Sequence, residues 1–477
     1  MTKTDTKKRK DGNEKARPSV SKDANRAAGA KLWIVSLGCD KNQVDTQQMM
    51  ALLSEAGYGF AEEAGEADAA VVNSCCFIGD AKEESIREIL ELGELKKTGK
   101  LKAIIVTGCL AQRYSGEIRE SLPEVDAVVG TASFPRIVEA VDEALSGRSR
   151  TILDPLKTLP YVPGKRILTH ASHYAYLKIA EGCSKQCSYC VIPSVRGRYR
   201  SVPEETLIKD AEALAGLGAV ELILIAQETT LYGTDLYGEK KLPRLLERLS
   251  AIPEIKWIRL MYCYPEEITE ELVDAIAGNE KVCHYLDLPI QHASGRILRD
   301  MGRKTTRAGL CGMIQRLRER IPDIALRTTL ITGFPGETEE EHEELMGFVE
   351  EMRFDRLGVF PYSREEGTRA YDMPGQVPKR VKLRRRKQLM ELQQRIAFEK
   401  AGEMAGKTVK VLVEGRLPEE KTYVGRTYKD APEVDAYVFF PDRGRSYLSG
   451  EMLEVRIREN NGYDLIGDVI DEDESAE

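Results

Sequence analysis

The chain has 477 residues, 42% hydrophobic and 31% charged, with a formal net charge of −8 at neutral pH. That length supports two or three domains with their own cores, and the negative balance excludes a uniformly basic, nucleic-acid-coating surface while leaving room for a local patch. Ten cysteines are too sparse here for a disulfide scaffold, so ligation or burial in a reducing compartment is the expected use.

The chain begins MTKTDTKKRKDGNEK, charged and without an apolar stretch, so no signal sequence is expected. No apolar run, VELILIA at 220–226 included, approaches the ~20 residues that span a bilayer; a cytoplasmic protein with no membrane partner is the default. Residues 1–29 read as a disordered, mildly basic arm, either a solvated extension or a nucleic-acid-binding tail. Over 30–146, KLWIVSLGC predicts a strand, NQVDTQQMMALLSEAGY an amphipathic helix and ADAAVVNSCCF a second strand. The helix SIREILELGELKKTG, the strand LKAIIVTGC, the short strand VDAVVG and a helix around PRIVEAVDEAL follow. This alternation predicts an α/β domain with a parallel sheet covered on both faces. Three of its strands run into a cysteine.

The turn-rich stretch 147–166 reads as a linker. Residues 167–400 then repeat the α/β pattern, with strands YAYLKIA at 174–180, VELILIA at 220–226, WIRLMY at 257–262, HYLDLPI at 284–290, ALRTTLI at 325–331 and FDRLGVF at 354–360. Six strand–helix units predict a partial (β/α)6 barrel, with active-site residues where the strands end. A Lys/Arg-rich helix at 377–400 closes this region. Over 401–470 the short strands KTVKVLVEG, DAYVFF and EMLEVRIRE predict a small all-β barrel, and DEDESAE at 471–477 is an acidic tail.

Cys183, Cys187 and Cys190, in CSKQCSYC, follow the first strand of the second series. Such a loop can present three thiolates to one [4Fe–4S] cluster and leave one iron without a protein ligand. S-adenosylmethionine can chelate that iron and undergo one-electron cleavage to methionine and a 5′-deoxyadenosyl radical. Structural zinc is the alternative, but no fourth ligand stands nearby at zinc-knuckle spacing. Tyr189 lies between the last two cysteines, where its ring can pack on adenine. GFPGET at 333–338 follows the strand ALRTTLI, and its glycines permit close backbone approach to a ligand, an ordinary βα turn being the other reading.

Cys39, Cys75 and Cys109 are 36 and 34 residues apart, and each closes a strand of one predicted sheet. They can converge at one crevice and hold a second three-cysteine cluster; buried spectator thiols are the alternative. Cys76, Cys263, Cys283 and Cys311 read as structural, with Cys263 just past a strand, Cys283 just before one and Cys311 in a helix.

With SLGCDKNQVDTQ at 36–47, NSCCFIGDAKEES at 73–85, VTGCLAQRY at 106–114, EGCSKQCSYCVIPSVRGRYRS at 181–201 and LITGFPGET at 330–338, the chain resembles the radical-SAM methylthiotransferases over 31–470. The resemblance implies an N-terminal methylthiotransferase domain at 30–146, a radical-SAM domain with extension at 167–400 and a TRAM-like domain at 401–470. It also implies two [4Fe–4S] clusters, with Cys39, Cys75 and Cys109 as ligands of the auxiliary one and S-adenosylmethionine as methyl donor and radical source. Of two branches, one modifying isopentenylated adenosine in tRNA and one the β-carbon of an aspartate in ribosomal protein S12, KIAEGCSKQCSYCVIPSVRG, AQETTLYGTDLYG and DLPIQHAS resemble the second. Asp40 stands where a proline is usual, and SVP at 201–203 where SRP is usual. Partners implied are S12, free or in the small subunit, an electron donor such as flavodoxin, and a sulfur source. A cluster-bearing sulfur-relay or binding protein is the non-enzymatic alternative.

Independently of resemblance, residues 407–470 hold ten Lys/Arg against twelve Asp/Glu, a balance that fits a basic protein better than tRNA phosphates. Tyr189, Gly333, Gly336, Glu337, Thr338 and Arg327 are the candidate S-adenosylmethionine contacts. Gln291 and His292, in PIQHAS at the barrel rim, are the candidate substrate contacts. Arg327 and His292 have local hydrogen-bonding roles as their alternative. No catalytic residue is assigned beyond the cysteines.

Overall fold

The computed structural model describes residues 29–470. The expected basic arm, up to residue 28, and the acidic tail lie outside the described residues. Among the described residues no helix is long and apolar enough to cross a membrane.

The first sheet contains β1 (Lys31–Ser36), β2 (Gly59–Phe60), β3 (Ala69–Ser74), β4 (Ala103–Gly108), β5 (Ala127–Val129) and β6 (Arg150–Ile152), all parallel, in the order β2-β1-β3-β4-β5-β6. Every residue of β3 and β4 is buried, as expected of β-branched runs in a sheet covered on both faces. Val71 and Ile105 join one core with the helix Ile137–Leu145, while Val72 and Val106 join another with Ile89 and Leu92 of the helix Gly79–Thr98. This is the period-two alternation of a strand. The strand order reverses at β1, so the carboxyl edge between β1 and β3 is a switch-point crevice. The stretch 147–166 is not wholly linker: Arg150–Ile152 pairs with β5 as an edge strand. Its three residues were hidden by the flanking turn residues.

The second sheet is an open row of six parallel strands, β7 (Tyr174–Lys178), β10 (Glu221–Ile225), β11 (Trp257–Leu260), β12 (Val282–Asp287), β13 (Ala325–Thr332) and β14 (Arg356–Pro361), with the separate two-residue pair β8 (Ala180–Glu181) and β9 (Arg200–Ser201) between β7 and β10. An open sheet must protect its edges. At β14 the helix Lys379–Gly402 does this: Gln393 Nε2 donates to Phe354 O over 2.9 Å, Arg386 Nε to Val359 O over 3.2 Å and Lys382 Nζ to Tyr362 O over 2.8 Å. At β7 the linker and the helix Asp40–Glu55 do it, with Arg166 donating to Tyr176 O and Ile167 N to Gln47 O. Cys283 lies inside β12 and not before it, because the strand starts two residues earlier than its aromatic run.

The third unit is a closed barrel of β15 (Thr408–Leu417), β16 (Thr422–Arg426), β17 (Val438–Pro441), β18 (Met452–Asn461) and β19 (Asp464–Val469), in the order β15-β16-β17-β19-β18. Val411, Val413, Tyr423, Phe440, Val455 and Ile457 fill it. It seals the amino-terminal end of the second sheet through charges. Glu221, fully buried, is held at 2.7 Å by both Arg259 and Arg426. Arg327 pairs with Asp435 at 2.8 Å, Arg356 with Asp430, and His173 with Glu414 at 2.9 Å.

Candidate active site

At the carboxyl edge of the first sheet, Cys39 precedes the helix Asp40–Glu55, Cys75 follows β3 and Cys109 opens the helix Cys109–Arg113 directly after β4. The loops are knitted together by Asn42, whose Nδ2 donates to Leu37 O over 2.8 Å and Ser74 O over 3.1 Å. Buried Ser85 fixes Cys75, donating to its carbonyl and accepting from its amide, both at 2.9 Å. Gly38 has φ +93°, and a Cβ there would lie 2.8 Å from Cys75 Sγ. Burial, and then the nearby charges of Cys109 and Cys39, push the Cys75 thiol up to about 12.

The second trio sits in a loop clamped at its neck. β8 and β9 pair antiparallel, and Cys183 N donates to Gly197 O over 3.0 Å. Inside, Ser188 is pinned to Met301 O by its amide and to Asp300 O by its hydroxyl. Lys185 N donates to Cys183 Sγ over 3.4 Å, and the Tyr264 hydroxyl lies 3.8 Å from Cys187 Sγ. Burial pushes the Cys183 thiol up to about 11, and burial followed by the charge of Cys187 raises that of Cys190. Tyr189 packs against the cluster of Ile297, Met301, Phe334, Tyr362 and Ala370, to which the phenylalanine of the GFPGET turn belongs.

Between the trios lies a group that sequence reasoning missed. Arg196, Asp45, Lys178 and Glu181 are all buried, with Arg196 Nη1 2.7 Å from Asp45 and 3.2 Å from Glu181, and Lys178 2.9 Å from Glu181. Arg196 Nε donates to Cys109 Sγ over 3.4 Å. Glu228 was also missed. It is fully buried, one oxygen accepts from Thr230, and the other has no partner. Burial pushes its carboxyl up to about 7, and the charge of Lys185 pulls the other way. The AQETTLYG motif carried Glu228, but a lone Glu in a strand–loop sequence gives no sign that it is buried.

Several candidate contacts are otherwise engaged. Glu337 accepts from the amides of Gly333 and Phe334 and pairs with Arg385 at 3.0 Å, closing its own turn. Thr338 is the N-cap of the helix Glu339–Met352, in a capping box with Glu341. A Cβ on Gly333 would meet Lys382 Cγ at 2.3 Å, so this glycine makes room for a side chain of the same chain, whereas one on Gly336 would lie at ordinary contact distance, 3.5 Å, from Arg296 and only the left-handed φ of +77° favours glycine there. Arg327 faces Asp435 in the interdomain seal, because the early residues of β13 lie at the amino-terminal end of the sheet. His292 is not at an open rim: it is fully buried, accepts from Ser294 N, and is held at about 3 by burial. Gln291, at φ +72°, bonds through its backbone to Thr329 and Ile331 of β13.

Residues 31–130 match the uncharacterized protein family UPF0004, 177–349 the Radical SAM superfamily and 405–470 the TRAM domain. The chain is 54% identical over 437 residues to the ribosomal protein uS12 methylthiotransferase RimO of Lachnoclostridium phytofermentans, covering 92% of this chain and 99% of that one. The chain belongs to the RimO family. The RimO of Clostridioides difficile is 48% identical over 440 residues, with 92% and 99% covered. Among solved structures, the radical S-adenosylmethionine methyltransferase TsrM of Kitasatospora setae has a TM-score of 0.52 at 14% identity, over 69% of this chain and 73% of that one; this is a likeness of fold. RimO membership and the Radical SAM match bring an iron–sulfur cluster and S-adenosylmethionine as cofactors. The donor chemistry fits such a cluster. Each trio has two buried thiols and a half-buried third, Cys39 or Cys190, and such mutually repelling groups need a bound cation before they can be thiolates together. Among the described residues no three His, Cys, Asp or Glu side chains converge tightly enough for a single metal ion.

Proposed function

We propose that this chain methylthiolates the β-carbon of an aspartate in ribosomal protein S12, with Cys183, Cys187 and Cys190 holding one [4Fe–4S] cluster and Cys39, Cys75 and Cys109 a second. The observation that carries the reading is the placement of both cysteine trios at carboxyl edges of parallel sheets, joined by one buried side chain, Arg196. When bound, the clusters and S-adenosylmethionine supply the electron, the radical and the methylsulfur that an unactivated C–H bond requires.

The chain's own residues do the placing. Ser188, pinned to the Asp300–Met301 backbone, fixes the cysteine loop. Tyr189 gives an aromatic wall beside the Phe334 turn for the adenine. Glu228 keeps one oxygen unspent in a dry environment, where a carboxyl near neutrality can accept from a cofactor ammonium or hydroxyl, or, when protonated, donate to a hydroxyl. Asn42 and Ser85 hold Cys75 and its neighbouring loops. Electron donor and sulfur source are separate partners in this reading.

The test is anaerobic turnover of reconstituted protein with S-adenosylmethionine and a reductant, offered S12 or isopentenylated tRNA. The expected result is a mass gain of one methylthio group, replacing hydrogen, on the S12 aspartate, with release of 5′-deoxyadenosine. Modification of the tRNA alone would move the acceptor to RNA. Absence of 5′-deoxyadenosine with every acceptor would leave a sulfur-relay protein.

A further inference from the structure

Arg196 ends the short helix Ile192–Arg196, on the same loop as Cys183, Cys187 and Cys190, yet all but one of its guanidinium bonds cross to the other domain. The side chain is 2% exposed. Nη1 bonds Asp45 and Glu181, Nη2 bonds the side-chain oxygen of Asn42, and Nε donates to Cys109 Sγ over 3.4 Å. One residue earlier, Val195 O accepts from Thr131 Oγ1 over 2.6 Å, a second tie to the same domain. Asn42 is itself the residue that knits the loops of Cys39 and Cys75.

Charge accounting shows what is particular about this arrangement. Asp45 and Glu181 carry two negative charges, and Lys178 and Arg196 cancel them. Lys178 already bridges the two carboxylates, and thus the two domains. A second lysine could supply the remaining charge. What a guanidinium adds is a third donor direction, and here it ends on sulfur. Hydrogen bonds to cluster sulfurs are among the factors that set reduction potential: a donor withdraws charge from the thiolate and favours the reduced state. The surrounding low dielectric strengthens that effect.

We propose that Arg196 is a positioning residue for the centre at Cys39, Cys75 and Cys109: its Nε–H, donated to Cys109, makes that centre easier to reduce, while its grip on Asn42 and Asp45 locks the centre against the loop of Cys183, Cys187 and Cys190. This rests on the reading above that the Cys39 trio holds a cluster.

The experiment uses the full chain with Cys183, Cys187 and Cys190 changed to Ala, so that iron can be held only at the other trio. The protein is reconstituted anaerobically with iron and sulfide and reduced with dithionite. Electron–nuclear double resonance in H2O and D2O counts exchangeable protons coupled to the centre, and a redox titration gives its potential. Arg196→Lys keeps the cation and removes the Nε–H; one exchangeable coupling should vanish and the potential should move negative. Asp45→Asn removes a carboxylate and leaves the Nε–H in place; the coupling should stay and the potential should move positive. Loosened domain packing would shift both variants in the same direction, which would overturn the proposal. So would an unchanged coupling pattern and potential in Arg196→Lys. Should that variant hold no iron, Asp45→Asn decides, and a lost coupling or a negative shift there counts against Arg196. If the parent itself binds no iron, it is the cluster reading that fails.

Discussion

Gly38 and Glu228 show how single positions decide this site. Gly38 is left-handed at φ +93°, and a Cβ there would meet Cys75 Cβ at 2.7 Å and Sγ at 2.8 Å. Any side chain must displace the sulfur or the loop. If both trios hold a cluster as proposed, Gly38→Ala is expected to lose about half of the bound iron on reconstitution while keeping 5′-deoxyadenosine release; iron and sulfide analysis checks it. Glu228 is raised from its ordinary 4.5 to about 7 by burial. Below pH 4.5 both folded and unfolded chains hold the proton, and there is no penalty. As pH rises toward 7 the unfolded chain ionises first, so stability falls through that window, by about 3 kcal/mol in full. Glu228→Gln should flatten this fall, measured as the thermal midpoint of the cofactor-free chain from pH 4.5 to 8. An unchanged slope would mean that the carboxyl is already ionised in the fold.

At the scale of elements, two side chains of GFPGET serve the turn itself and the helix that follows it. Its acidic residue closes the turn and its threonine caps the helix Glu339–Met352. Thr338→Ala should cost about 1 kcal/mol of stability and leave the affinity for S-adenosylmethionine unchanged, by calorimetric titration of the reconstituted enzyme. A large fall in affinity would return Thr338 to the cofactor. The edge of β14 is a second case. Gln393 satisfies Phe354 O from the helix Lys379–Gly402, a helix whose composition reads only as basic. Caps, edges and turn closures are relations between segments distant in sequence, which a window of residues does not contain.

Over the whole molecule, the closed barrel of β15–β19 is joined to the open sheet by Glu221 between Arg259 and Arg426, all three fully buried. Arg426 also pairs with Glu414 at 2.6 Å, so removing it leaves two carboxylates, Glu221 and Glu414, short of a cation where little water reaches. Arg426→Met should cost about 3–5 kcal/mol and expose the segment before Thr408 to protease; mass spectrometry of limited digests would detect the released C-terminal barrel. Intact protein under conditions that leave the parent uncut would show that the other pairs, Arg327–Asp435 and Arg356–Asp430, suffice.

The three-unit α/β, partial-barrel and small-barrel architecture is legible along the chain alone, because strand and helix periodicities are local and survive without a partner. The six cysteines stand out in the same way, since the close spacing of Cys183, Cys187 and Cys190 and the strand-end setting of Cys39, Cys75 and Cys109 can be read along one chain. Which polar residues are buried, and what they face, emerges once the three units are packed together. The tertiary structure set Arg196 on Cys109, left an oxygen of Glu228 without a partner, turned Arg327 toward Asp435 and buried His292. The physical reason is desolvation. Whether a charged side chain lies in water or against sulfur depends on the domain packed over it, and no residue's own sequence neighbourhood carries that information.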